Sequence, residues 1–242
     1  MGEESIVVPG LRIRQPERGY RFSIDSVILA GFAATSCRGA VLDLGTGCGV
    51  LLLLLSRLAP GMLAGAGVEL QDDLVGFARR NFRDNCPDGR LVAARGDFRG
   101  EIPGIEPGSF DLVVSNPPFG RAGHGRANPD PGKEAARHDV TCALPELFAA
   151  ASRFISANGR FAFILPYSRR EEIGPCASKE GLRVELLRVV HPRDGAPPSR
   201  LLCRAVRGGS GAPRLLLPLL LHEGPDKYCP EVERICRLFR KR

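Results

Sequence analysis

The stretch Val41-Leu-Asp-Leu-Gly-Thr-Gly-Cys-Gly-Val50 narrows the possible folds of this chain more than any other. Val41 to Leu44 is a short apolar run closed by glycine, the pattern of a buried strand. Gly45, Gly47 and Gly49 form a tight turn, and Val50 to Ala59 reads as a helix stopped by Pro60-Gly61. Strand, glycine turn and helix in that order begin an open α/β sheet that cradles a nucleotide. Glycine is needed there because a side chain would hold the ligand off the backbone. The helix start behind the turn offers unpaired N–H groups. A dinucleotide fingerprint has glycine at the first, third and sixth turn positions. Here the third glycine falls at the fifth position and Val50 takes the sixth, which weighs against a nicotinamide-dependent oxidoreductase.

The rest of the chain alternates in the same way. Ile6 to Ile13 reads as a hairpin around Pro9-Gly10. A helix capped by Ser23 or Asp25 runs to about Ala34, with Phe22 and Asp25 placed over the ligand. Strands are expected at 64–69, 90–96, 110–115, 160–165 and 182–190, and helices at 72–85, 144–155 and 171–181. A turn is expected at Asn158-Gly159. Gly195 to Ser199 reads as a flexible loop, 201–206 and 215–221 as a final strand pair with Pro218 at an edge or bulge, and 231–238 as a helix. Gly120 to Arg137, rich in Gly, Pro, Arg and Asn, reads as a mobile functional loop. The expected fold is a single Rossmann-like α/β domain, with a mostly parallel sheet, helices on both faces and an antiparallel C-terminal strand pair. Residues 1–39 are expected to lie over the site as hairpin and lead-in helix, and 40–242 to form the main domain.

Composition bounds the function class. The chain has 242 residues, with 43% hydrophobic and 25% charged side chains, as in a globular protein with one sizeable core. No secretory leader and no apolar run long enough for a bilayer are read, so a cytoplasmic location without membrane attachment is expected. The eight cysteines are scattered and make no Cys-x-x-Cys pair, which argues against a zinc site or a disulfide framework; no metal is expected. The net charge of +7 favours a polyanionic partner.

The turn Asp43-Leu-Gly-Thr-Gly-Cys-Gly49 resembles motif I of the class I S-adenosylmethionine (SAM) methyltransferases, and three further points align with it. Glu69 ends the second strand of the sheet, where an acid accepts hydrogen bonds from ribose hydroxyls. Asp97 ends the third, placed to accept from an adenine amino group, with Phe98 packing on the ring. Asn116 ends the fourth. The cofactor set read from the sequence is Asp25, Asp43, Gly45, Thr46, Gly47, Gly49, Glu69, Leu70, Asp97, Phe98 and Asn116.

Asn116-Pro117-Pro118-Phe119 carries the chemistry. Two prolines fix the backbone after the strand. They aim the Asn side chain and the Pro117 carbonyl, which has no competing N–H, into one space. Two acceptors held this way suit a planar NH2 group whose lone pair is delocalised. Phe119 supplies a face for a base, worth about 1–3 kcal/mol in comparable contacts. The tetrapeptide resembles motif IV of amino methyltransferases acting on adenine N6, guanine N2 or glutamine amide nitrogen.

Phe22 to Ala30, Glu134 to His138 and Gly224 to Glu231 are similar to stretches of the bacterial tRNA adenine-N6 methyltransferases that modify tRNA-Val beside the anticodon. The resemblance implies SAM as cofactor, its demethylated product S-adenosyl-L-homocysteine, and RNA, foremost a tRNA, as partner. Arg121, Arg126, Lys133, Arg137 and His138, with the basic end Arg240-Lys-Arg242, are the expected RNA contacts. Guanine-N2 methylation of ribosomal RNA and glutamine methylation of protein are the rivals in class. A non-catalytic RNA-binding protein is the rival outside it.

Overall fold

The computed structural model describes residues 3–8, 11–18, 22–118, 143–224 and 227–238. Strands β1 (Glu3–Val8) and β2 (Leu11–Pro16) form an antiparallel hairpin longer than the sequence suggested. Helix α1 (Ile24–Ala34) follows, then β3 (Gly39–Leu44), α2 (Val50–Leu58), β4 (Met62–Glu69), α3 (Asp72–Asn85), β5 (Leu91–Arg95) and β6 (Phe110–Ser115). Beyond residue 143 come α4 (Leu144–Phe154), β7 (Ile155–Pro166), α5 (Arg170–Lys179), β8 (Leu182–Arg193), β9 (Arg200–Arg207), β10 (Arg214–Leu215), β11 (Leu219–Gly224), β12 (Lys227–Tyr228) and α6 (Pro230–Leu238).

The main sheet runs β12-β11-β8-β9-β7-β6-β3-β4-β5, with β10 also on β8. Strands β5, β4, β3, β6 and β7 are mutually parallel. The order reverses beside β3: β4 and β5 lie on one side, β6 and β7 on the other. In open sheets that switch point is where ligands bind, outside the carboxyl ends of the strands. The ends of β3, β4, β5 and β6 therefore bring the Gly45 turn, Glu69, the Asp97 segment and Asn116 to one edge.

Alternating side chains of these strands feed two cores, which is why the strands read as nearly continuous apolar runs. Val41, Leu112, Val114, Ala162 and Ile164 join α1, α2, α3 and α6 in one cluster. Leu42, Val113, Phe161, Phe163 and Leu165 join α4 and α5 in the other. In the second, Phe148 of α4 meets Phe161 and Phe163 edge-on, with centroids 5.5 and 5.2 Å away. Such pairs add about 0.5–1.5 kcal/mol each beyond their buried area.

The hairpin is held to α3 by two asparagines one helical turn apart. Asn81 accepts from the Arg14 N–H (2.8 Å) and donates to the Arg14 carbonyl (2.9 Å), while Asn85 does the same with Arg12 (2.9 and 2.8 Å). Each amide thus imitates the backbone of a neighbouring strand. Asn81, fully buried, also donates to the Cys48 carbonyl inside the glycine turn at 2.9 Å.

Two local expectations are corrected. Asn158-Gly159 is not a free turn but lies within β7, whose register against β6 shifts between Phe110 and Leu112. The segments at 201–206 and 215–221 do not pair with each other. Antiparallel pairing does mark this side of the sheet, between β9 and both β7 and β8, whereas β11 runs parallel to β8. Pro218 sits in the break between β10 and β11. Gly195 to Ser199 lies, as expected, in a loop, between β8 and β9: Ala196 N–H donates to the Arg193 carbonyl (3.2 Å), Ser199 N–H to the Val190 carbonyl (2.9 Å), and His191 Nδ1 lies 2.7 Å from the Ala196 carbonyl.

Candidate cofactor and substrate site

The glycine turn is held from below by β4. The N–H groups of Gly45 and Thr46 both donate to the Val68 carbonyl, at 2.9 and 3.0 Å. Gly45, Gly47 and Gly49 all have φ between 56° and 80°, the left-handed region that only glycine enters freely. Two of them differ in what lies outside. A Cβ on Gly49 would stand 2.4 Å from Phe82 Cε1, so this glycine lets α3 pack against the start of α2. A Cβ on Gly45 would meet nothing within 4 Å among the described residues beyond its chain neighbours, so this side opens onto free space.

Two buried carboxylates line the turn. Asp43, at the end of β3, is 1% exposed and accepts from Thr46 Oγ1 at 2.7 Å. Burial pushes its acid up to about 7; the Thr46 bond opposes that shift and the nearby Glu69 charge adds to it. Glu69, at the end of β4, accepts from the Gly47 N–H and the Gln71 N–H, both at 3.0 Å. One carboxylate therefore clasps the glycine turn and the chain leaving β4. Leu70, next to it, is 41% exposed at the rim.

Asp97 is more exposed than the other acids. The Arg99 guanidinium grips both of its carboxylate oxygens at 2.6 to 2.9 Å and holds its acid below the usual carboxylate range. Phe98 is half-buried against the second core, and its carbonyl accepts from Arg153 of α4 at 2.6 Å.

Asn116 leaves the sheet beside the turn. Ser115 is fully buried, and its hydroxyl donates to the Leu44 carbonyl at 2.8 Å, tying the end of β6 to the peptide that enters Gly45. Asn116 Nδ2 then donates to Ser26 Oγ of α1 at 3.0 Å, and Pro117 is buried behind it. Asn116 Oδ1 makes no hydrogen bond among the described residues. Ser23 caps α1, accepting from the Asp25 N–H at 3.2 Å, and Asp25 is paired with Arg200 of β9 at 3.2 Å. The structure thus gathers Asp25, Asp43, Thr46, the three glycines, Glu69, Leu70, Asp97, Phe98 and Asn116 along one edge. Phe119, Arg121, Arg126, Lys133, Arg137, His138 and Arg240 to Arg242 lie outside the described residues.

Sequence reasoning passed over Ser26, Asn81 and Ser115. Ser26 lies in the quoted stretch Phe22 to Ala30, and membership of that stretch was the available signal. Ser115 and Asn81 carry none: each is a polar residue at a position where the pattern wants an apolar one, and only the folded contacts reveal its partner.

The profile of the methyltransferase small domain family matches residues 23–168. The chain is 28% identical over 233 residues to a tRNA1(Val) (adenine(37)-N6)-methyltransferase of Tolumonas auensis, spanning 96% of this chain and 94% of that protein. It is 30% identical to the enzyme of that name from Porphyromonas gingivalis, spanning 90% and 88%. In fold it is similar to the crystal structure of a predicted O-methyltransferase from Agrobacterium tumefaciens, with TM-score 0.69 and 22% identity over 89% of this chain and 96% of that one. A geranyl diphosphate C-methyltransferase from Streptomyces coelicolor, solved with S-adenosyl-L-homocysteine, shares the fold with TM-score 0.53 and 14% identity, covering 74% and 78%. With a glycine cradle at the switch point, an acid at the next strand end and a family profile over more than half its length, this chain belongs to the methyltransferase small domain family and is a SAM-dependent methyltransferase.

Proposed function

We propose that this enzyme methylates the N6 amine of an adenine in a tRNA, beside the anticodon. The observation that carries the reading is the fixing of Asn116 at the end of β6, against the glycine turn, by the Ser115 and Ser26 bonds. The names of the relatives point to the same acceptor.

The residues present fit SAM. Among the described residues Gly45 opens onto free space, and Glu69 stands at the end of β4 with one oxygen on the Gly47 N–H of the turn and the other on the Gln71 N–H. Asp43, Gly45, Thr46, Gly47 and Gly49 would hold the amino-acid end, Glu69 and Leu70 the ribose, and Asp97 and Phe98 the adenine. Asp25 and Asn116 would complete the wall where the methyl group lies. Bound there, SAM supplies an electrophilic methyl carbon.

The chain's own part is to make a poor nucleophile react. An adenine amine has its lone pair spread into the ring. Asn116 Oδ1 and the Pro117 carbonyl accept its two N–H bonds, which draws the nitrogen toward a pyramidal geometry and turns its lone pair to the cofactor side. No strong base is needed, because the proton departs after the new bond has formed. Preorganised dipoles and positioning supply the rate. Phe119 is the proposed stacking face, and Arg121, Arg126, Lys133 and Arg137 the proposed phosphate contacts; the base is drawn out of its stack to reach the site. Residues 1–39 serve as the cover of a catalytic domain formed by 40–242, a reading supported by the reach of α1 to Asn116 and Arg200. With tRNA as partner, the enzyme works in the cytoplasm.

The test is transfer from labelled SAM to tRNA lacking the modification, followed by nucleoside digestion. N6-methyladenosine is expected. N2-methylguanosine would move the acceptor to guanine, label in protein alone would overturn the RNA reading, and RNA binding without transfer would leave only the fold.

A further inference from the structure

We infer that Ser26 is a positioning residue for Asn116, anchoring its amide so that the carbonyl end is left for the substrate amine. The inference rests on the reading of Asn116 as an amine acceptor and goes beyond it in naming what orients that acceptor.

An asparagine side chain ends in one acceptor and one two-proton donor, and rotation by half a turn exchanges them. An amine substrate is served by the acceptor end only; the NH2 end would set donor against donor. Something must therefore hold the amide the right way round. In the structure Nδ2 is engaged by Ser26 Oγ at 3.0 Å, and Oδ1 is the end without a partner among the described residues. Ser26 is suited to be an anchor. It is 3% exposed, sits in the first turn of α1, and its N–H is bonded to the Ser23 carbonyl at 3.1 Å. The neighbouring Asp25, 6% exposed, is paired with Arg200, and that strand lies beside β7. The first turn of α1 is thus pinned to two strands of the sheet, at β6 through Ser26 and at β9 through Asp25. A residue 90 positions away in sequence holds the catalytic amide from a rigid helix.

A hydroxyl can also donate, and in the reverse arrangement Ser26 would bond Oδ1 and leave the NH2 end outward. The two arrangements predict different behaviour for Asn116→Asp, whose two ends are both acceptors. If the carbonyl faces the substrate, Asp keeps that acceptor, Ser26 turns its hydroxyl to donate to the other oxygen, and transfer stays within about tenfold of wild type. If the NH2 end faces the substrate, Asn116→Asp loses as much as Asn116→Ala.

The experiment measures kcat, KM for RNA, SAM affinity and thermal stability for Ser26→Ala, Ser26→Thr, Asn116→Asp, Asn116→Ala and the double variant Ser26→Ala/Asn116→Ala. Without its anchor the part-buried Nδ2 loses its partner and the amide turns away, so Ser26→Ala is expected to lower kcat about 5- to 50-fold. KM and SAM affinity are expected to hold. Ser26→Thr, which keeps the hydroxyl, should restore most of kcat. In the Asn116→Ala background Ser26→Ala should cost nothing further, because the group it positions is gone. The inference is overturned if Ser26→Ala leaves kcat unchanged, if its loss is as large without Asn116 as with it, if Thr fares no better than Ala, or if Asn116→Asp is as inactive as Asn116→Ala. Should Ser26→Ala fail to fold, Ser26→Cys, nearly isosteric with a weak acceptor, carries the same comparison. An Asn116→Ala enzyme with full activity would instead sink the reading of Asn116 itself, and is distinguishable from a fully active Ser26→Ala beside an inactive Asn116→Ala.

Discussion

The two outer glycines of the turn share a backbone conformation but not a neighbourhood, and alanine at each separates the structural from the ligand-binding demand. At Gly49, with φ +80°, a methyl group would sit 2.4 Å from Cε1 and 2.7 Å from Cζ of Phe82, a ring 2% exposed. The left-handed conformation costs about 1–2 kcal/mol for a residue with a Cβ, and forcing a methyl into a filled core adds about 1–3 kcal/mol. Gly49→Ala should therefore lose about 2–5 kcal/mol, seen as a Tm fall of about 4–20 °C for a chain of this size. At Gly45, with φ +76°, the backbone cost is the same, but among the described residues no atom beyond the chain neighbours lies within 4 Å of the new methyl. Gly45→Ala should lose only about 1–2 kcal/mol of stability. Its methyl, however, occupies the space assigned to SAM, so its affinity should fall more than about tenfold, or about 1.4 kcal/mol. Thermal denaturation paired with calorimetric titration of SAM reads both. If Gly45→Ala binds SAM like wild type, the open side of Gly45 is not the cofactor's space. If Gly49→Ala is no less stable than Gly45→Ala, the packing argument for Phe82 is wrong.

Two further predictions concern the groups beneath the turn. Asp43 titrates near 7 when folded against an ordinary value of 3.8, so between those pH values the folded chain holds a proton that the unfolded chain has released. The contribution of this group to stability is full below about 4 and lost as pH rises through about 7, by an amount of order 4 kcal/mol. Urea denaturation of Asp43→Asn and wild type at pH 5 and pH 8 should show the variant gaining on wild type as pH rises; parallel curves would contradict it. Asn81→Ala strips partners from Arg14 N–H, the Arg14 carbonyl and the Cys48 carbonyl. It should cost about 3 kcal/mol and raise hydrogen exchange at Arg12 and Arg14 well above that of the sheet, whereas uniform protection would show that the hairpin does not depend on it.

The parts of the fold that were legible in the sequence are those whose signal is local. The glycine turn, the helix at 72–85 and the strand at 110–115 declare themselves through periodicity, punctuation and glycine spacing within a dozen residues. Ser23 was readable as a cap because capping is a contact of one helical turn. The C-terminal half was harder because its arrangement is set by pairing between distant strands. Nothing in 182–190 says that this strand will lie between β9 and β11, and Asn158-Gly159 carries the chemistry of a turn although it ends as an irregularity within β7. The site divides in the same way. Asn116, Glu69 and Asp97 could be read from their places at strand ends, but the Ser26 hydroxyl, the Ser115 bond to Leu44 and the Arg99 grip on Asp97 belong to the folded molecule. Gly45 and Gly49 looked equivalent until the neighbours of each were known.

The account depends on Asn116 holding an amine for methyl transfer. The most direct test is the single-turnover rate of Asn116→Ala at saturating SAM and tRNA, with SAM affinity measured alongside. Loss of one preorganised dipole in such a site costs about 10²–10³ in rate. The predicted result is a fall of that size with SAM affinity retained; a rate close to wild type, with SAM bound normally, would contradict the account.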